Sequence, residues 1–465
     1  MTVKLIDPPP AFAGIIGIGR RDITPPVGIY ARIWGAASHD RSEGTHRPLS
    51  VTASVFRRSP DDTPLVLVSI DLALLGDLGG QDDERYVREG VMEAFDLPAS
   101  HLMVACTHTH SSPWCATSRA DLPGGELIKP YLKTLRDAIT EATREAIATA
   151  QHATLTWATG RCDLAVNRDL PDPDASKDRI VCGYNPEAKA DDAVLVGRIT
   201  RDADARVLGT IVNYACHPTT LAWDNRLVSP DFIGAMRELV EQYTRGAPCL
   251  FLQGASGELS PAHQYVGDVS VADRHGRRLG FAVLSALEGM LDPGQAMAFD
   301  RVVESGAPLA VWAPRAFEVD QTLEVVQFHI DYPLIDYGSV ADIDATIAAC
   351  TDRMMGERLR RKRAILVALG DAKTYRMPTW VWRLGTSLIV GHSNEAYSDM
   401  QIQLRAAFAD CAVAVVNVVN GEIGYLPPRH LYDKDIYQVW QTPFAPGSLD
   451  MLIEQSIARG RELMH

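Results

Sequence analysis

Two histidines, His108 and His110, stand one residue apart in Thr107-His-Thr-His-Ser111, directly after the apolar run Leu102-Met-Val-Ala105. On an extended chain, positions i and i+2 share a face, so both imidazoles are expected to look into one space. Such a pair is either half of a metal site or two hydrogen-bonded histidines closing a buried strand. The same arrangement recurs along the chain. His217 follows the apolar run 207–214, and Ser260, beside Glu258, follows the run that ends at Gln253. Glu395 closes Gly391-His-Ser-Asn-Glu395, and Tyr425 lies in the turn after the apolar run 412–419. Two or three His or carboxylate ligands with an open position hold a divalent cation that polarises an acyl carbonyl. A serine beside them adds a candidate nucleophile.

These residues need rigid elements to bring them together. Apolar runs at 51–57, 64–75, 102–105, 207–214, 248–253, 380–391 and 412–419 read as strands. Helical spacing of three and four marks Leu132, Leu135, Ile139, Ala142 and Ala146, a helix over 232–243, Leu279 to Met290, a charged helix over 343–363 and a C-terminal helix from Pro446. Alternating strands and helices predict an α/β fold, a mixed β-sheet flanked by helices with the active site in strand-end loops. The whole chain, 1–465, is expected to form a single large catalytic domain, with 296–375, where the signals weaken, as a possible inserted subregion. The glycines of Gly14-Ile-Ile-Gly-Ile-Gly19 do not make a dinucleotide loop, because Pro25-Pro26 forces a turn where a helix would have to follow. Asp71, inside an apolar stretch, is read as a satisfied buried acceptor or as a partner to a metal ligand.

The net charge of −14 argues against nucleic acid or an anionic membrane as the main partner. No segment is long and apolar enough to span a bilayer, and the N-terminal residues show no signal-peptide pattern. The eight cysteines are scattered without a C-x-x-C pair, which points to free thiols and a cytoplasmic location. The basic run Arg358-Leu-Arg-Arg-Lys-Arg363 reads as a solvated helix face.

Four short motifs in order give the chain a family likeness: Thr107-His-Thr-His-Ser111, Asn213-Tyr-Ala-Cys-His-Pro-Thr219, Gly257-Glu-Leu-Ser-Pro261 and Gly424-Tyr-Leu-Pro427. With Gly17-Ile-Gly-Arg-Arg-Asp-Ile-Thr24 they resemble the neutral/alkaline, non-lysosomal ceramidases, zinc amidases that cleave an N-acyl bond. The resemblance implies one zinc ion (Zn2+) held by His108, His217, Glu395 and Tyr425. It implies that His110 stabilises the oxyanion, that Arg168 and Tyr437 face the substrate, and that Ser260 is the family serine. Attack by zinc-bound hydroxide and attack by Ser260 both remain open, and Ser256 is a rival nucleophile.

The sequence also departs from the family pattern. An asparagine and an aspartate of the serine motif are replaced by Ala255 and Glu258, and Gln438 follows Tyr437 where a glutamate is usual. His392 is new in the loop before Glu395 and is either a substrate contact or an exposed residue. Trp114 is either a constriction at the mouth of the site or plain packing. The immunoglobulin-like C-terminal domain of the family is absent from these residues. Together these features predict an amide hydrolase for a soluble small-molecule N-acyl substrate. An esterase or lactonase on the same site, or a non-catalytic metal- or ligand-binding descendant, are the alternatives.

Overall fold

The computed structural model describes residues 4–77, 82–336 and 338–465. Eight strands form one mixed sheet: β1 Ala11–Asp22, β2 Ser50–Arg57, β3 Leu65–Ile70, β4 Leu102–Cys106, β5 Gln151–Arg161, β6 Ala193–Arg201, β7 Val207–Tyr214 and β8 Cys249–Gln253. Their order across the sheet is β8-β7-β6-β5-β1-β2-β3-β4. A second sheet takes β9 Leu323–Pro333, β10 Thr374–Leu384, β11 Ser387–His392 and β12 Ala412–Val416 in sequential order. The first sheet curls until its ends approach each other, and the Ser69 hydroxyl on β3 donates to the Phe251 carbonyl on β8 at 2.6 Å.

The layers follow from the side-chain alternation. Trp380 and Trp382, two apart on β10, face the first sheet and pack with Phe12, Leu67, Met103 and Leu250, while Val381 between them faces the opposite way. Helices α1 Asp82–Phe95, α2 Ile128–Ala148, α3 Phe232–Tyr243 and α4 Val269–Glu288 cover the outer face of the first sheet. Helices α5 Val340–Ala349, α6 Arg353–Leu369, α7 Asp399–Ala407 and α8 Ser448–Met464 complete the chain, and α7 and α8 cover the outer face of the second sheet. The product is four layers, helix–sheet–sheet–helix.

The glycines near the N-terminus serve this packing. A Cβ on Gly17 of β1 would lie 1.9 Å from the Ala146 carbonyl oxygen, so strand and α2 approach closer than any side chain allows. Asp71 is a satisfied acceptor: Ser50 donates to it from backbone and hydroxyl, and Arg237 of α3 donates through both terminal nitrogens at 2.8 and 2.9 Å. The charged helix expected over 343–363 is two helices. The break falls at Asp352, whose carboxylate caps α6 by accepting from the Met354 and Met355 amides.

The tract 296–375 is spread over several places. Strands Gln295–Glu304 and Pro308–Ala316 form a small sheet with Ile6–Asp7, β9 joins the second sheet, and α6 lies beside the site. Parallel pairing occurs at β3/β4, β7/β8 and β11/β12, each with a crossover between its strands. The loops leaving β4, β7, β8, β11 and β12 carry the candidate site.

Candidate active site

Each ligand candidate sits just past the end of a strand. After β4 the chain leaves extended geometry, and His108 adopts φ of 68°, the left-handed region that a side chain enters at a cost. Its amide is held by the Leu72 carbonyl at 2.8 Å. His108 and His110 do meet in one space, with ring centres 4.8 Å apart and planes nearly perpendicular, but this turn brings them together and strand alternation does not. His217 follows β7, and its amide donates to Leu259 at 2.9 Å. Glu395 and Tyr425 follow β11 and β12 of the second sheet and pair with each other in a separate two-residue parallel ribbon.

The ligand atoms of His108, His217 and Glu395 all lie within 4.8 Å of one another, and all three residues are buried. Glu395 Oε2 is 2.7 Å from His217 Nε2 and 3.2 Å from His108 Nε2. The opposite ring nitrogens fix the tautomers. His108 Nδ1 lies 2.7 Å from the Ala73 carbonyl and His217 Nδ1 2.7 Å from the Ser256 carbonyl. A carbonyl oxygen only accepts, so both Nδ1 atoms carry the proton and both Nε2 atoms present lone pairs to one carboxylate oxygen. Lone pairs of like polarity do not converge without a positive centre between them. Burial, and then the Arg168 guanidinium, push the His217 imidazole down to about 4, so at neutral pH a proton is a poor candidate for that centre. His108 Nε2 has no hydrogen-bond partner. The residues fit a divalent cation.

Around this cluster, Arg168 donates to the Gly257 carbonyl from Nη2 at 2.6 Å and from Nε at 3.2 Å. Its Nη2 also lies 3.3 Å from the Tyr425 hydroxyl, which is itself 3.4 Å from His217 Nε2. His110 is neutral, because burial, and then the charges of His108 and His217, hold its pKa well below the usual histidine range. Its Nδ1 faces the His108 carbonyl at 2.9 Å, which leaves Nε2 as an acceptor. Tyr437 packs its ring against Tyr425 at 5.7 Å. Arg168, His110, Tyr425 and Tyr437 all line a cavity of about 330 Å³. A narrower chamber, lined by His108, Glu395 and Glu422, adjoins it and shares His110, Tyr425 and Tyr437 with it.

The serines sit behind this wall. Ser260 is fully buried on a short strand paired with Ala165–Asn167, and its Oγ accepts from Gln264 Nε2 at 2.8 Å. Thr219 lines the cavity at this point. Ser256 Oγ accepts from Gln253 Nε2 at 2.6 Å, and its carbonyl anchors His217. Glu258 reaches Ser398, accepting from its amide and hydroxyl, and Gln438 donates to Asp169 and to the Gly257 carbonyl. His392 is fully buried with Nδ1 accepting from the Asn394 amide, so it is neither exposed nor part of the cavity wall. Trp114 is buried in the chamber wall with the guanidiniums of Arg119 and Arg361 over its ring.

Two contributors escape the sequence reading. The basic run is not simply a solvated face: Met354, Glu357, Arg358 and Arg361, at helical spacing on α6, line the cavity. Glu422 is the other. Burial, and then the Glu395 charge, push its carboxyl well above the usual carboxylate range. The spacing 354, 357, 358, 361 was the available signal for the helix; nothing in the sequence marks Glu422.

A four-layer α/β architecture thus carries a buried His–His–Glu cluster at its strand ends. The family model described as neutral/alkaline non-lysosomal ceramidase, N-terminal, matches residues 15–270, and the chain belongs to this family, whose members hydrolyse a carbon–nitrogen amide bond. Among solved structures, a ceramidase complexed with C2 is similar over 98% of this chain and 76% of its own, at 16% identity and a TM-score of 0.69. The neutral ceramidase from Pseudomonas aeruginosa is similar over 98% of this chain and 75% of its own, at 18% identity and a TM-score of 0.68. At these identities the likeness is one of fold. A search of curated proteins finds no match.

Proposed function

We propose that this chain is a zinc-dependent hydrolase that cleaves the amide bond of a soluble N-acyl compound. The observation that carries the reading is the convergence of two imidazole lone pairs on one buried carboxylate oxygen, with both opposite ring nitrogens tied to backbone carbonyls. His108, His217 and Glu395, with the Tyr425 hydroxyl, would hold the ion. A bound zinc supplies Lewis acidity towards the scissile carbonyl and lowers the pKa of water to about 7. In this reading the loops that follow the strands of each sheet would contribute two ligands each.

The remaining residues divide the work by their hydrogen-bonding state. The Arg168 guanidinium and the Tyr437 hydroxyl are donors on the cavity wall, suited to the negative charge that develops on the acyl oxygen. Neutral His110 offers Nε2 as a hydrogen-bond acceptor on the cavity wall, where it would orient an attacking water or the substrate amide N–H. Ser260, held by Gln264 behind the wall, positions the loop that anchors His217.

The test is metal content of the purified protein, alongside His108→Ala and Glu395→Ala, with turnover measured on matched short-chain N-acyl amides, esters and ceramide. About one zinc per chain, lost in both variants together with amide turnover, supports the reading. Full metal retention in both variants removes the site. Faster release of fatty acid from ceramide than from the short amides removes the soluble substrate.

A further inference from the structure

An aromatic wall runs outward from the ligand cluster along one side of the larger cavity. It begins at His110, whose ring centre is 4.8 Å from that of His108 and 5.4 Å from that of Trp34. Trp34 and Tyr265 continue it, both lining the cavity, with ring centres 5.6 Å apart and planes at 79°. Trp223 packs on both, edge-on to Trp34 at 6.0 Å and stacked on Tyr265 at 5.8 Å. All three side chains are half-buried, and none belongs to the hydrophobic clusters that hold the two sheets and their helices together. Their surface is therefore spent on the cavity and on one another.

The wall is also fixed in place. Tyr265 has φ of 63°, a conformation that a side chain enters at a cost. It is held there from both ends: its amide donates to the Thr219 carbonyl at 3.2 Å and its hydroxyl to the Cys182 carbonyl at 3.4 Å. Trp34 lies on the loop between β1 and β2, where Arg32 donates to the Gly35 carbonyl at 2.9 Å and Arg361 donates to the Ile33 carbonyl. Local strain kept by such ties is a feature of ligand clamps.

Fixed rings favour one kind of ligand. Aromatic pairs with centres roughly 4.5–7 Å apart gain from their ring quadrupoles beyond the area they bury. A rigid, flat group also loses little conformational freedom on docking, whereas a flexible chain loses more for the same burial. The cavity volume of about 330 Å³ lies at the lower end of small-ligand sites, which run from roughly 300 to 1,000 Å³, so it suits a compact group. Because the wall starts one imidazole away from His108, that group must sit close to the reacting carbonyl.

We propose that this cavity selects amides that carry an aromatic ring a short link from the scissile bond, with Trp34 and Tyr265 as the specificity-determining side chains. The inference rests on the amide-hydrolase reading above and assigns it a substrate class. A ring on the amine side describes an N-acyl arylalkylamine; one on the acyl side describes an arylalkanoyl amide.

Two matched pairs test this on the full-length zinc-loaded protein: a phenylacetyl against a cyclohexylacetyl amide of the same amine, and N-acetyl benzylamine against N-acetyl cyclohexylmethylamine. The cyclohexyl members carry at least as much apolar surface, so burial alone gives the phenyl members no advantage. One aromatic contact corresponds to roughly a two- to tenfold preference in kcat/KM for the phenyl member. The pair that shows it identifies which side bears the ring. Trp34→Leu is expected to abolish the preference through KM while kcat for the cyclohexyl members is kept, and Trp34→Phe to retain part of it. Tyr265→Leu, which leaves the contact between Trp34 and His110 in place, is expected to reduce it as well. Equal kcat/KM within both pairs, or a preference for cyclohexyl, overturns the inference and leaves the amidase reading standing. So does a phenyl preference that survives in both Trp34→Leu and Tyr265→Leu. Failure to cleave any of the four amides removes the amidase reading and this inference with it.

Discussion

Glu395 and Tyr425 are register partners in a parallel ribbon only two residues long, and the Glu395 amide donates to Gly424, the residue before Tyr425, at 3.1 Å. One backbone contact therefore sets the separation of two proposed ligands that lie 30 residues apart in sequence. Gly424 makes the contact possible: its φ is 99°, and a Cβ there would sit 2.2 Å from the Gln441 carbonyl oxygen.

Tyr425→Phe tests the hydroxyl without disturbing the ribbon, because the ring stays packed while only the oxygen facing Arg168 and His217 is removed. The variant is expected to fold with near-normal melting. Its zinc affinity should fall by roughly 10–100-fold, the loss seen when even an outer partner of a metal site is removed. Competition with a chromophoric chelator measures this. Unchanged affinity would take Tyr425 out of the ligand set.

Ser260→Ala separates a nucleophile from a positioning group. In the structure Gln264 links Ser260 to Thr219, donating to the first at 2.8 Å and accepting from the second at 2.6 Å. Removing the hydroxyl strands one buried donor, which costs about 1–3 kcal/mol of stability. Amide turnover is expected to survive within about tenfold, because the acyl carbon is not attacked by this oxygen in the arrangement proposed here. Abolition of turnover in a folded, zinc-loaded variant would make Ser260 the attacking group.

The ligand candidates were legible in the sequence because each closes an apolar run at a break. Strands over 207–214 and helices over 232–243 could be bounded to the residue by the same logic. What stayed illegible depends on contacts between distant segments. Arg358 to Arg363 carry charge on a helix, and only the presence of Trp114, Ile33 and Tyr437 opposite turns one side of that helix into a cavity wall. Strands β10 and β11 read as one run in the sequence, because only Gly385, at φ of 56°, turns the chain between them. His392 looked like a loop residue although it ends β11 in the core.

Gly17→Ala tests the close approach of β1 and α2. A methyl group would fall 1.9 Å from the Ala146 carbonyl oxygen and 2.8 Å from the backbone of Ala150, so strand and helix must separate. Overpacking of this kind costs about 1–3 kcal/mol. The expected result is a lower urea midpoint with zinc binding intact in the folded fraction. A midpoint equal to that of the parent would mean the two elements yield freely.

Glu258 supplies a pH test away from the metal ligands. Burial pushes its carboxyl up to about 8, against the Ser398 hydroxyl and amide that favour its charged form. In the unfolded chain the group titrates near the ordinary glutamate value of about 4.3. Between these two values the folded protein binds a proton that the unfolded chain has lost, so the slope of unfolding free energy against pH is negative. The contribution is fully present below about pH 4.3 and disappears as pH rises through about 8, at up to about 1.4 kcal/mol per pH unit. Glu258→Gln keeps the size and the acceptor oxygen for Ser398 but carries no titrating proton. Urea unfolding of parent and variant between pH 5 and pH 9, at about one-unit steps, should show the parent losing stability relative to the variant across that window. Parallel curves would place the Glu258 charge in the folded protein throughout, held by Ser398 alone.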